Sequence, residues 1–114
     1  MKAKKITLTG AEFLDHMRKD RTPKSQDDYG WYPEGGFGQF NTKHATCAFG
    51  GVARRLGVEP DTLVGVIPNE PARLIFTTND ETKTSKKRIA DLVAEKFPKF
   101  LTRKITVPLP QAEV

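Results

Sequence analysis

Two near-identical runs, KITL at residues 5–8 and KITV at residues 104–107, stand at opposite ends of a 114-residue chain. Both are β-prone, and no other internal echo is visible. Pairing them as a small terminal ribbon brings the two ends together and leaves everything between to build the body. A two-stranded ribbon is marginal in water unless it packs on a helix, so the intervening sequence has to supply helices.

The first helix is announced by Thr9, an N-cap whose partner Glu12 completes a capping box. Phe13, Leu14 and Met17 share one side of it, Asp15, Arg18 and Lys19 the other, and it should end near Asp20. Residues 21–30 (RTPKSQDDYG) read as a loop. Thr46 can cap a second helix over residues 47–56, with Ala48, Val52 and Leu56 in its apolar stripe and Gly57 as its stop. Pro60 suits the first turn of a short third helical piece. Residues 71–78 (PARLIFTT) hold an apolar run whose period assigns neither helix nor strand. The clearest helix covers residues 85–97, with Ile89, Leu92, Val93 and Phe97 as its stripe and Pro98 as its end. The expected architecture is a single compact α+β domain, residues 1–114 with 112–114 frayed. It is mainly helical, with three or four helices, short N- and C-terminal strands and a long Gly/aromatic loop.

Residues 30–56 gather the sole Trp, the sole Cys, one of the two His and three of the seven Phe. Residues 31–44 have no period, and their rings (Trp31, Tyr32, Phe37, Phe40) call for an ordered loop pinned to the core. Cys47 sits just after the expected cap, where helix N–H groups favour a thiolate. His44 or His16 would complete a nucleophilic pair; the alternative is a buried thiol acting as a small apolar side chain. Gly50 and Gly51 together cost the helix roughly 2 kcal/mol relative to alanine. Close approach of another backbone or a ring (Trp31 or Phe37) offsets that, or a ligand lying against the bare helix. The GGFG stretch lacks the Gly-Lys-Ser/Thr ending of a phosphate loop.

The net charge of +5 is uneven: residues 81–114 carry eight basic and four acidic groups, residues 30–80 four and five. Lys86, Lys87 and Arg88 occupy the first turn of the last helix, where cations oppose the macrodipole at about 0.3–1 kcal/mol each. That conflict points to an anion site, extended by Lys99, Arg103 and Lys104, or to a solvated basic turn. Arg54 and Arg55 on the second helix could add to an anionic site or simply face water; near a helix C-terminus they are favourable on dipole grounds alone. One Cys and two His are too few for a structural zinc site, and no cofactor or metal is expected.

The segments FLDHMRKD, Gly30 with Trp31, TCAFGGVARRLG, TTND and TSKKRIADLVAEKF together resemble an uncharacterised family of small bacteriophage and actinobacterial proteins. Gly30 and Trp31, Cys47 with Gly50, and Asn79 with Asp80 match its motifs. Thr78 stands where the family usually has Trp, and Gly51 where it usually has Ala. The resemblance implies a compact, largely helical domain carried as phage or mobile-element cargo, and no activity.

The leading functional expectation is a non-enzymatic binding module of phage-accessory type. It would engage a host protein or an anionic ligand, nucleic acid or nucleotide, through Lys86, Lys87, Arg88, Trp31, Asn79 and Asp80. The alternatives are a small cysteine-dependent enzyme using Cys47 with His44 or His16, and a structural or assembly protein, including a homodimer joined through rings of residues 31–40. With no apolar run of about 18 residues, no signal-peptide pattern and a single Cys, the expected location is the cytoplasm, of the host cell if phage-encoded, without membrane contact.

Overall fold

The two terminal runs do pair. In a computed structural model that describes residues 5–26, 29–32, 39–40 and 45–109, β1 (Lys5–Thr9) and β4 (Lys104–Pro108) form an antiparallel ribbon, with Ile6 opposite Val107 and Leu8 opposite Ile105. The pleat sends Leu8, Ile105 and Val107 inward. Thr7 and Thr106 meet on the outer face, their hydroxyls 3.3 Å apart.

The ribbon runs straight into α1 (Gly10–Lys19) through the expected capping box: the Glu12 N–H donates to Thr9 Oγ1 at 3.1 Å, and the Thr9 N–H to Glu12 Oε1 at 2.8 Å. Gly10 is demanded by closeness, since a Cβ there would fall 1.9 Å from the Phe100 carbonyl oxygen. Phe13, Leu14 and Met17 are fully buried as their spacing predicts. Phe13 packs on Phe49 and, edge-on, on Phe100, with centroids 5.9 and 6.0 Å away.

Two short strands, β2 (Trp31–Tyr32) and β3 (Gln39–Phe40), pair antiparallel. The rest of the expected aromatic loop, with Phe37 and His44, lies outside the described residues. Helix α2 (Ala48–Leu56) is capped one residue later than expected. Cys47 is the N-cap, its Sγ accepting from the Gly50 N–H at 3.3 Å, and Gly57 closes the helix at φ 72°. Thr46 is free of the capping task because its hydroxyl is engaged elsewhere, as described below.

Then come α3 (Pro60–Val66), α4 (Asn69–Asn79) and α5 (Lys86–Lys96), followed by a 3₁₀ turn (Pro98–Thr102) that leads into β4. The ambiguous run at residues 71–78 is thus helical. The buried positions of α4 are Pro71, Ala72, Ile75, Thr78 and Asn79, so two of the five are polar and blur the apolar period. This brings the helices to five among the described residues, in an α+β fold with one contiguous apolar core. No described helix is long and apolar enough to cross a membrane.

Candidate functional site

The basic turn at the start of α5 divides in two. Lys87 and Arg88 are exposed, while Lys86, the first residue of the helix, is 6% exposed and points into the protein. Its Nζ lies 2.6 Å from Asp20 Oδ2 and donates to Thr46 Oγ1 at 2.6 Å, Thr22 Oγ1 at 2.9 Å and the Thr22 carbonyl at 3.0 Å. Asp20 ends α1, and its carboxylate also accepts from the Thr22 N–H (3.1 Å) and hydroxyl (2.8 Å). Burial alone would raise the Asp20 carboxyl; the Lys86 hydrogen bond and charge, with the Thr22 donors, outweigh it and hold the group below its ordinary value. Burial pushes the Lys86 ammonium below its ordinary value, partly countered by Asp20. Lys86 is therefore an internal counter-ion, and the expected three-cation anion site at residues 86–88 loses its inner member.

The paired glycines of α2 serve this interior. A Cβ on Gly51 would sit 1.7 Å from Asp20 Oδ2, and one on Gly50 would sit 1.9 Å from the Tyr29 carbonyl oxygen. The close approach is thus by a backbone at Gly50 and by a carboxylate at Gly51, rather than by the Trp31 ring, while Phe37 lies outside the described residues. One glycine admits the neighbouring backbone, and the other admits the carboxylate that neutralises Lys86.

The other predicted site residues spread out. Asn79 is 4% exposed: its Oδ1 accepts from the Ala48 N–H at 2.9 Å and its Nδ2 donates to the Ser25 carbonyl at 3.0 Å. It stitches the end of α4 to the start of α2 and to the loop after α1. Asp80 is exposed at the end of α4, its carbonyl accepting from Gln26 Nε2 at 2.7 Å. Trp31 belongs to the core at 6% exposure. Cys47 is also 6% exposed, with its sulfur facing the helix N–H of Gly50. His44 lies outside the described residues. His16 Nδ1 accepts from Arg55 Nε at 3.1 Å, and burial followed by the Arg55 charge holds its imidazole below its usual value. Among the described residues no three of His, Cys, Asp and Glu gather as a metal site would require.

What the structure does bring together is a second set of cations. The C-terminal ends of α1 and α2 open onto a cleft of about 430 Å³ lined by Lys19, Arg21, Arg54 and Arg55, with Thr22 and Pro23 beside them. Arg55 is oriented by His16 and by the Lys19 carbonyl at 3.5 Å. Lys19 also reaches Asp15 at 2.8 Å on the exposed face of α1. Among the described residues the single carboxylate lining the cleft is Asp20, whose charge Lys86 matches. In the sequence, Arg54 and Arg55 read equally as part of an anionic site and as ordinary dipole-complementing residues. The legible signal was that α1 ends with the same chemistry, and only packing reveals that the two ends converge.

No protein-family model, curated protein or solved structure matches the chain.

Proposed function

We propose that this protein is a non-catalytic binding module that holds a phosphate-bearing anion, a nucleotide or the backbone of a nucleic acid, in the cleft between the ends of α1 and α2. The observation that carries this reading is the cleft's charge. Four cationic side chains line it, and the one carboxylate among its described lining residues is already matched by a buried lysine. Arg21, Arg54 and Arg55 are exposed, and guanidinium groups suit the paired oxygens of a phosphate. The burial of Cys47 and the use of its sulfur as a helix cap favour binding over thiol chemistry.

Fluorescence anisotropy with labelled single- and double-stranded oligonucleotides and with a labelled nucleotide, at two salt concentrations, tests the proposal. Binding should be present at low salt and should weaken as salt rises, by a slope of about 0.7–0.9 per phosphate neutralised. Arg21→Glu combined with Arg54→Glu should lower affinity at least tenfold while the protein still melts cooperatively. No binding at low salt, or binding indifferent to both reversals, refutes the cleft as the site.

A further inference from the structure

A separate cavity lies on another part of the molecule, where the α3–α4 junction meets the end of α5. It measures about 360 Å³, within the range of small-molecule sites. Its walls come from residues that the local sequence makes apolar and rigid. Pro68 and Pro71 punctuate the entry to α4, and Phe97 and Phe100 flank the break at Pro98 where α5 gives way to the 3₁₀ turn. Phe100 is buried against Phe13 and forms part of the core, whereas Phe97 is only half-buried and leaves apolar surface open. Prolines donate no backbone N–H, so these walls offer a ligand contact area with few competing polar groups.

The rim has the opposite character. Lys96, Lys99 and Arg103 border the cavity, all three exposed, and no carboxylate lines it among the described residues. None of the three forms an ion pair with a described residue. An apolar recess ringed by cations of one sign matches a molecule with an apolar body and an anionic end. We infer that this cavity binds a small free amphiphilic carboxylate, its hydrocarbon part against Pro68, Pro71, Phe97 and Phe100 and its carboxylate on Lys99 and Arg103. Affinity grows with each methylene of the acyl chain removed from water, and the charged rim selects the sign of the head group. This inference is independent of the cleft between α1 and α2.

Titration of the full chain with decanoate below its micelle concentration, followed by amide chemical shifts, tests it. Decanol, decyltrimethylammonium and acetate serve as comparison ligands. Decanoate should shift the amides of Lys96, Phe97, Lys99, Phe100 and Arg103. It should bind at least tenfold more tightly than decyltrimethylammonium, and acetate should leave those amides unmoved. Lys99→Glu combined with Arg103→Glu should weaken decanoate at least tenfold and leave decanol unchanged, since the walls are intact. Arg21→Glu with Arg54→Glu should leave decanoate binding as it was, so failure at either site is distinguishable from failure at the other. Shifts confined to other residues, equal affinity for the cationic amphiphile, or indifference to the rim reversal would overturn the inference.

Discussion

The start of α5 and the joined ends of α1 and α2 are both basic, yet the protein uses their charge in opposite ways. At the first, a lysine in the position least favoured by the helix dipole turns inward and is matched by Asp20 and two threonine hydroxyls. At the second, cations placed where the dipole favours them stay exposed around a cleft. A local electrostatic conflict, read from sequence, is therefore ambiguous: it can mark a ligand, and it can equally mark an internal counter-ion. Here the unfavourable site is structural, and the locally unremarkable one is where we propose that binding occurs.

The largest effect separating the two should come from Asp20→Asn, which keeps the shape and strands a buried ammonium. Loss of one partner of a buried pair costs about 3–5 kcal/mol, measurable by urea unfolding. In that variant stability should rise as pH climbs towards 10.5, the ordinary lysine value. A lysine whose folded pKa lies below its unfolded value takes up its proton on unfolding, so removing protons favours the native state. A stability independent of pH over that range would show that Lys86 escapes to solvent when Asp20 is neutral.

Next in size are the glycines. Gly50→Ala drives a Cβ into the Tyr29 carbonyl, and Gly51→Ala drives one into the Asp20 carboxylate. Each should cost about 1–3 kcal/mol through overpacking, more than the roughly 1 kcal/mol of helix propensity regained. If the Asp20–Lys86 pair is what Gly51 accommodates, Gly51→Ala should add little to Asp20→Ala, whereas Gly50→Ala should add in full. Asn79→Ala comes in the same range, about 1–3 kcal/mol, because it leaves the Ala48 N–H and the Ser25 carbonyl without their partner.

Acid supplies a gentler probe. The Asp20 carboxyl has a lowered folded pKa, so its contribution is complete above its ordinary value of 3.8 and is lost as pH falls from there through the folded value. Wild-type stability should decline over that window, and Asp20→Asn should show a shallower decline. The smallest effect belongs to the cleft. Arg21→Glu, beyond the end of α1, should change stability by no more than about 0.5 kcal/mol, although it weakens anion binding. A large loss of stability there would make Arg21 structural and collapse the contrast.

Much of the fold was legible because its determinants are local. Thr9 and Glu12 are three residues apart, Gly57 follows its helix directly, and Pro98 ends its own. The terminal ribbon was the exception, a long-range pairing readable only because the two runs echo each other. The site was not legible for the converse reason. Lys86 finds Asp20 across 66 residues, and Asn79 finds Ala48 across 31, with no spacing rule to reveal either. Thr46 resembled a cap because threonine is a common one; its hydroxyl is instead held by Lys86 and Thr22, and the less usual Cys47 takes the role. The helical nature of residues 71–78 was hidden by the burial of Thr78 and Asn79, which a purely apolar template cannot count.

The ribbon carries a consequence for how the molecule assembles. Its partners lie between 95 residues apart, for Thr9 and Lys104, and 103, for Lys5 and Pro108. Closing a loop of that length in an otherwise unfolded chain costs on the order of 4 kcal/mol in entropy. Forming the helices and docking α1 against α5 shortens the effective loop before the strands meet. Loop-closure entropy alone therefore favours fastening this clasp after the helices between its strands have docked.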